Sequence, residues 1–197
     1  MTSILKVDRI ESRQSGGNVT FGSPIDPDGY SSNYRPGEIV QVKYTQFTGT
    51  NSIAVNGDSV LTDLTVNITP TSTSSIIKIE AMVNGEWSEQ DGATDGVWFF
   101  YRDDTKLSHA AASNRNVGIL MGTSITYAVD NEASTPEHAI YSYFDSPSST
   151  SQITYKVGVN PRLSRTWHLN RTVSDTDANN YERGISLICV TEIAASS

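Results

Sequence analysis

The sequence predicts an all-β chain, an antiparallel jelly-roll-like β-sandwich preceded by an extended N-terminal arm. Three observations lead there. Apolar and polar residues alternate with period two along most of the chain, the pattern of strands that bury one face. The segments between these runs are turn chemistry: Asn84-Gly85, Asp91-Gly92, Asp95-Gly96, Ser146-Pro147 and Asn160-Pro161. Helix-period stretches that could serve as crossovers between parallel strands are missing.

The first 38 residues read as the arm. SRQSGGNVTFGSPIDPDGYSSNYRPGE is polar and carries Pro24, Pro27 and Pro36, a composition that supplies little core. The opening ILKVDRI is a short strand or a helical turn with Ile4, Val7 and Ile10 on one side. The sandwich domain then spans 39–197. Its first strand is 39–48, with Val40, Val42 and Tyr44 opposite Gln41 and Lys43. The second, 60–69, aligns Leu64, Val66 and Ile68 and is stopped by Pro70. In 74–83, Ile77, Ile79, Ala81 and Val83 oppose Lys78 and Glu80. Further strands follow at 97–103, 124–129, 139–145, 152–159, 165–171 and 184–193, all rich in Val, Ile, Thr, Tyr and Phe. Residues 106–122 read as a long excursion with an Ala-rich turn.

A chain of 197 residues holds one large domain with an appendage, and buries enough surface to fold without staples. The formal charge of −8 argues against a nucleic-acid partner, whose phosphates demand a basic stripe. No run approaches the ~20 apolar residues of a membrane helix, and MTSILKVDRIESR lacks the apolar core of a signal peptide. The expectation is a cytosolically made protein without membrane insertion. The single cysteine, Cys189, sits mid-strand and reads as a buried inert thiol.

Groups for chemistry are sparse. His109, His138 and His168 fall in separate segments with no metal-binding spacing, and no nucleophile elbow or phosphate loop occurs. The pairs Asp103-Asp104 and Asp26-Asp28 lie in turn-forming segments. In DTDANNYERG, Asp175, Asp177 and Asn179 alternate as in a calcium loop. However, Asn180 replaces the glycine and Ser186 the twelfth-position glutamate, so a plain polar loop is favoured. The reading is therefore non-enzymatic, with no catalytic residue, metal or cofactor. Recognition is placed on loop aromatics among amides and hydroxyls: Trp87 in NGEWSEQDG, and Tyr30 and Tyr34 in DGYSSNYRPG. Trp87 as a lid on the sandwich end is the competing assignment.

Several segments, in order, resemble small fibre and adhesin proteins of tailed bacteriophages, of the marine and cyanophage type. They are ILKVDRIESRQSGGNVTF, LTDLTVNITPTSTSSIIKIEAMVNG, WFFYRDDTKL, AIYSYFDSPSSTSQITYKVGV, WHLNRTVSD and ISLICVTEIAA; the later ones span most of 60–195. Asp104 stands where that pattern has glycine. The resemblance implies a virion protein, commonly a homotrimer, that binds rather than catalyses. On it rests the expectation of a tail fibre contacting a host cell-surface glycan or protein, with the arm holding other virion proteins. The alternatives are a capsid decoration or head fibre protein and, third, a surface-polysaccharide hydrolase.

The last strand fits that expectation, because GISLICVTEI is apolar in both registers. With Ile185, Leu187 and Cys189 between the sheets, Ile188 and Val190 point outward beside Trp98, Phe100 and Met82. Trp98, Phe100, Ile188 and Val190 are then the expected oligomer interface.

Overall fold

The computed structural model describes residues 34–89, 95–125 and 134–195. The chain divides into two units, Met1–Arg35 and Pro36–Ser197. The second is all β. Its strands are β1 (Ile39–Phe47), β2 (Asn51–Val55), β3 (Ser59–Ile68), β4 (Ile76–Trp87), β5 (Val97–Arg102), β6 (Thr105–Leu107), β7 (Leu120–Met121), β8 (Ser124–Ile125), β9 (Glu137–Asp145), β10 (Ile153–Asn160), β11 (Arg165–Leu169) and β12 (Ser186–Ile193).

They form two antiparallel sheets. In sheet A the long strand β4 pairs along one edge with β9, which in turn pairs with β8. Its other edge changes partner: Ile76–Met82 pair with β12, and Gly85–Trp87 with β11. Strand β1 adds beyond β12, and β2 beyond β11. Sheet B runs β3-β10-β5, and the free edge of β5 takes β6 and β7. The sheets enclose one core of aliphatic and aromatic side chains.

The alternations predicted for β3 and β4 hold: Leu64, Val66, Ile68, Ile77, Ile79, Ala81 and Val83 are all buried. Three strands were not anticipated, β2, β6 and β7, which are short and carry too few apolar residues to show a period. The segment 124–129 is a strand at Ser124–Ile125, and its remainder lies outside the described residues.

The turn expected at Asn84-Gly85 is absent, and β4 runs straight through it to Trp87. A Cβ on Gly85 would collide with the Trp167 ring and with the His168 carbonyl. Glycine is there because β11 crosses closely, not because the chain reverses.

The register of β12 is the opposite of the expected one. Ile188 pairs with Ala81 and Val190 with Ile79, which places both between the sheets at 0 % exposure. Ile185, Leu187 and Cys189 face outward, with Ile185 43 % exposed. The choice carries two polar residues inward, and each is fully bonded. Ser186 Oγ donates to Asn170 Oδ1 at 2.6 Å and accepts from the Asn84 amide at 2.9 Å. Glu192 accepts from Ser75 Oγ (2.6 Å), the Thr71 amide and hydroxyl (both 2.7 Å) and Gln41 Nε2 (2.6 Å). Burial alone would raise the Glu192 pKa; the bonds from Ser75, Gln41 and Thr71 outweigh it and hold the carboxyl below its ordinary value.

Candidate functional site

The residues proposed from sequence for contact or assembly are mostly interior. All three tryptophans meet at one end of the core. Trp87 and Trp167 lie 5.0 Å apart edge to face, and Trp98 and Trp167 lie 5.3 Å apart. Trp87 and Trp98 both donate to Thr123 Oγ1 at 3.2 Å. Phe100 stacks on Tyr141 at 4.5 Å. Trp87 is 1 % exposed and is a core residue, so the recognition role assigned to it is withdrawn. The same holds for the interface assigned to Trp98, Phe100, Ile188 and Val190, each buried within one chain. Tyr30 lies outside the described residues, and Tyr34 is 37 % exposed.

The surface offers two other features. The first is the outer face of sheet A. Register places Val42, Thr191, Lys78 and Phe144 in one row, Tyr44, Cys189, Glu80 and Ser142 in the next, and Gln46, Leu187, Met82 and Ile140 in a third. Tyr44 is 70 % exposed, Ile140 62 % and Phe144 58 %. Met82 was the one residue expected on this side that is on it. The Cys189 thiol is half-buried here rather than enclosed; burial and then the Glu80 charge raise its pKa, which keeps it protonated and unreactive.

The second is a polar cleft of about 480 Å³ at the end of sheet B where β5 begins and β10 ends. Asn114, Arg115 and Asn116 from the segment between β6 and β7 face Asn160 and Arg162 across it. The wall is braced from beneath. Asn116 donates to the Asn160 carbonyl at 3.3 Å, Asn160 donates to Asp58 at 2.6 Å, and Lys106 binds both Asp58 oxygens at 3.0 Å. Arg162 pairs with Asp95 at 2.9 Å. Amides and guanidinium groups on a fixed frame can exchange hydrogen bonds with hydroxyl-rich or anionic groups.

One Ser–His contact calls for a chemical check. Ser52 Oγ lies 3.1 Å from His168 Nδ1, and Arg171 Nη2 approaches the same nitrogen at 2.8 Å. A guanidinium has only hydrogens to offer, so Nδ1 is the acceptor and the ring is neutral. Burial and then the Arg171 charge lower its pKa accordingly. With its lone pair shared with Arg171, Nδ1 is poorly placed to take a proton from Ser52. In the 175–184 loop, Asp175 is bound bidentately by Arg183 at 2.6 and 3.0 Å, which occupies the first oxygen pair of the calcium pattern. Among the described residues no group of three or more His, Cys, Asp or Glu is arranged to hold a metal.

Of these features, the outer face was half legible, because the double apolar register of 185–190 announced a second face but not which one. The cleft left no signal in the sequence beyond the Asn-rich composition of 114–116. Comparison with protein-family models and with curated proteins finds no match for the chain.

Proposed function

We propose that the chain is a structural virion protein of a tailed phage, a trimeric tail fibre whose β domain contacts the host surface. The observation that carries this reading is the braced polar cleft: adaptable hydrogen-bonding side chains from two loops, mounted on the end of a rigid sheet. That is binding chemistry, and its partner would be a cell-surface glycan or protein. The strand order supports the jelly-roll assignment, with β1-β12-β4-β9 in one sheet facing β3-β10-β5-β6 in the other. The arm would hold the neighbouring virion proteins.

Purified full-length chain should compete with phage for adsorption to host cells. Arg115→Ala combined with Asn116→Ala should weaken that competition at least tenfold with melting unchanged. An antibody against the chain should decorate tails of intact virions. Decoration of heads would replace the tail fibre with a head fibre. Full competition by the double variant would remove the cleft from the reading.

A further inference from the structure

We propose that the outer face of sheet A is a self-association surface, on which the β1 flank of one copy seats against the β9 flank of the next. The inference concerns assembly alone and stands whether or not the chain attaches to cells.

The face carries Ile39, Val42 and Tyr44 on β1, Ile140 and Phe144 on β9, and Ile185 just before β12, all exposed. With large side chains presenting roughly 150–250 Å² each, these exposures leave about 700 Å² of apolar surface open. A stable interface takes roughly 800 Å² from each partner, so the area is of the right size. Single exposed apolar residues are ordinary, but six on one face exceed what a lone subunit leaves in water.

Charge identifies the occupant. The chain carries −8, so two copies repel over most of their surfaces. In the three rows the charges are Lys78 and Glu80, which neutralise one another at 2.7 Å. A neutral apolar face on an acidic body admits another acidic body where the rest of the surface does not; a basic partner would call for an acidic face. The second copy of this chain fits.

The layout indicates how copies meet. Between β1 and β9 lie β12 and β4, so the two apolar flanks stand about 14 Å apart at the ordinary strand spacing, with the Lys78–Glu80 pair between them. Val42 and Tyr44 stand on one flank and Ile140 and Phe144 on the other, with Thr191, Lys78 and Glu80 between them and Leu187 and Met82 filling the third row. That layout suits face-to-face contact in which each flank meets the opposite flank of the other copy and the whole face serves one interface.

Light scattering on the full chain across micromolar concentrations tests this. The expected mass is at least twice the 21.4 kDa of one chain. Tyr44→Lys and Phe144→Glu, each on an exposed side chain, should separately raise the dissociation midpoint at least tenfold, with unchanged circular dichroism. Thr62→Lys on the other sheet should leave it unchanged. Because contact of each flank with the opposite flank sets position 44 against position 144 of the other copy, the double variant should recover assembly, and so should an equimolar mixture of the singles in part. A 21.4 kDa species at 50 μM, or assembly indifferent to both single changes, overturns the proposal. Failure of the double variant to recover overturns the flank-to-flank arrangement, since flanks meeting like on like would set lysine against lysine.

Discussion

The two sheets treat their outer faces differently. On sheet B the outward positions include Asn67, Thr65, Thr154, Lys156 and Tyr101, with Val60, the buried Val97 and one large apolar ring, Phe99, among them. That ring is 0 % exposed. It lies over Gly158, where a Cβ would strike it; Lys106 Nζ sits 3.9 Å above its centroid and Tyr101 meets it edge-on at 5.4 Å. On sheet A the outward Tyr44, Ile140 and Phe144 have no such cover and are more than half exposed. The molecule thus encloses an outward aromatic where the face is to remain in water, by a glycine below and a lysine ammonium above. Exposure on sheet A is a local property, not a general looseness of outward packing.

The contrast can be broken at single residues. The largest effect should come from Phe99→Ala, about 3–5 kcal/mol of unfolding free energy, read by denaturant titration; the matched Phe144→Ala should cost under ~0.5 kcal/mol in a monomeric background. Equal costs would erase the difference between the faces. Next is Glu192→Ala, which leaves the buried Ser75 hydroxyl unpaired and takes the acceptor from the more exposed Thr71 and Gln41, and should cost about 3 kcal/mol. Glu192→Gln sharpens it through pH. A carboxyl whose folded pKa is depressed contributes stability that is present above its unfolded value, near 4.3, and lost as pH falls through the folded value. The gap in melting temperature between wild type and Glu192→Gln should therefore be wide at pH 7 and shrink on acidification. A constant gap would mean that the ionised form is not what the bonds favour. Smaller again is Gly158→Ala, expected to cost about 1–3 kcal/mol by pushing the Phe99 ring off the sheet.

How far the sequence foretold this fold depended on whether a signal was local. Alternation located β3, β4 and β10 because their inward residues are apolar without exception, over Leu64, Val66 and Ile68 in β3 and over four positions in β4 and β10. It misassigned β12, where both registers are apolar and the decision rests with Ala81 and Ile79 on the neighbouring strand. Hydrophobicity alone could not foresee that Glu192 is affordable inside, since its donors come from Gln41 and from residues 71–75. Trp87 was misplaced for a related reason. Asn84-Gly85 has the form of a turn, and only the passage of Trp167 over Gly85 shows that the glycine serves a crossing. Exposed clefts and faces are set by such distant neighbours, so the candidate site was the least legible part.

The pairing of the first strand of the domain with its last has a kinetic consequence. Gln41 and Glu192, joined by a hydrogen bond across β1 and β12, are 151 residues apart in the chain. Closing a loop of that length precedes any reward from the contact, so this seam should form late and the domain should refold slowly, over milliseconds to seconds. During synthesis β1 emerges from the ribosome well before β12 exists to cover its edge. Until then Val42 and Tyr44 sit on an unpaired strand, the kind of edge that recruits other chains. Yield on expression should therefore fall with temperature and synthesis rate before native stability becomes limiting.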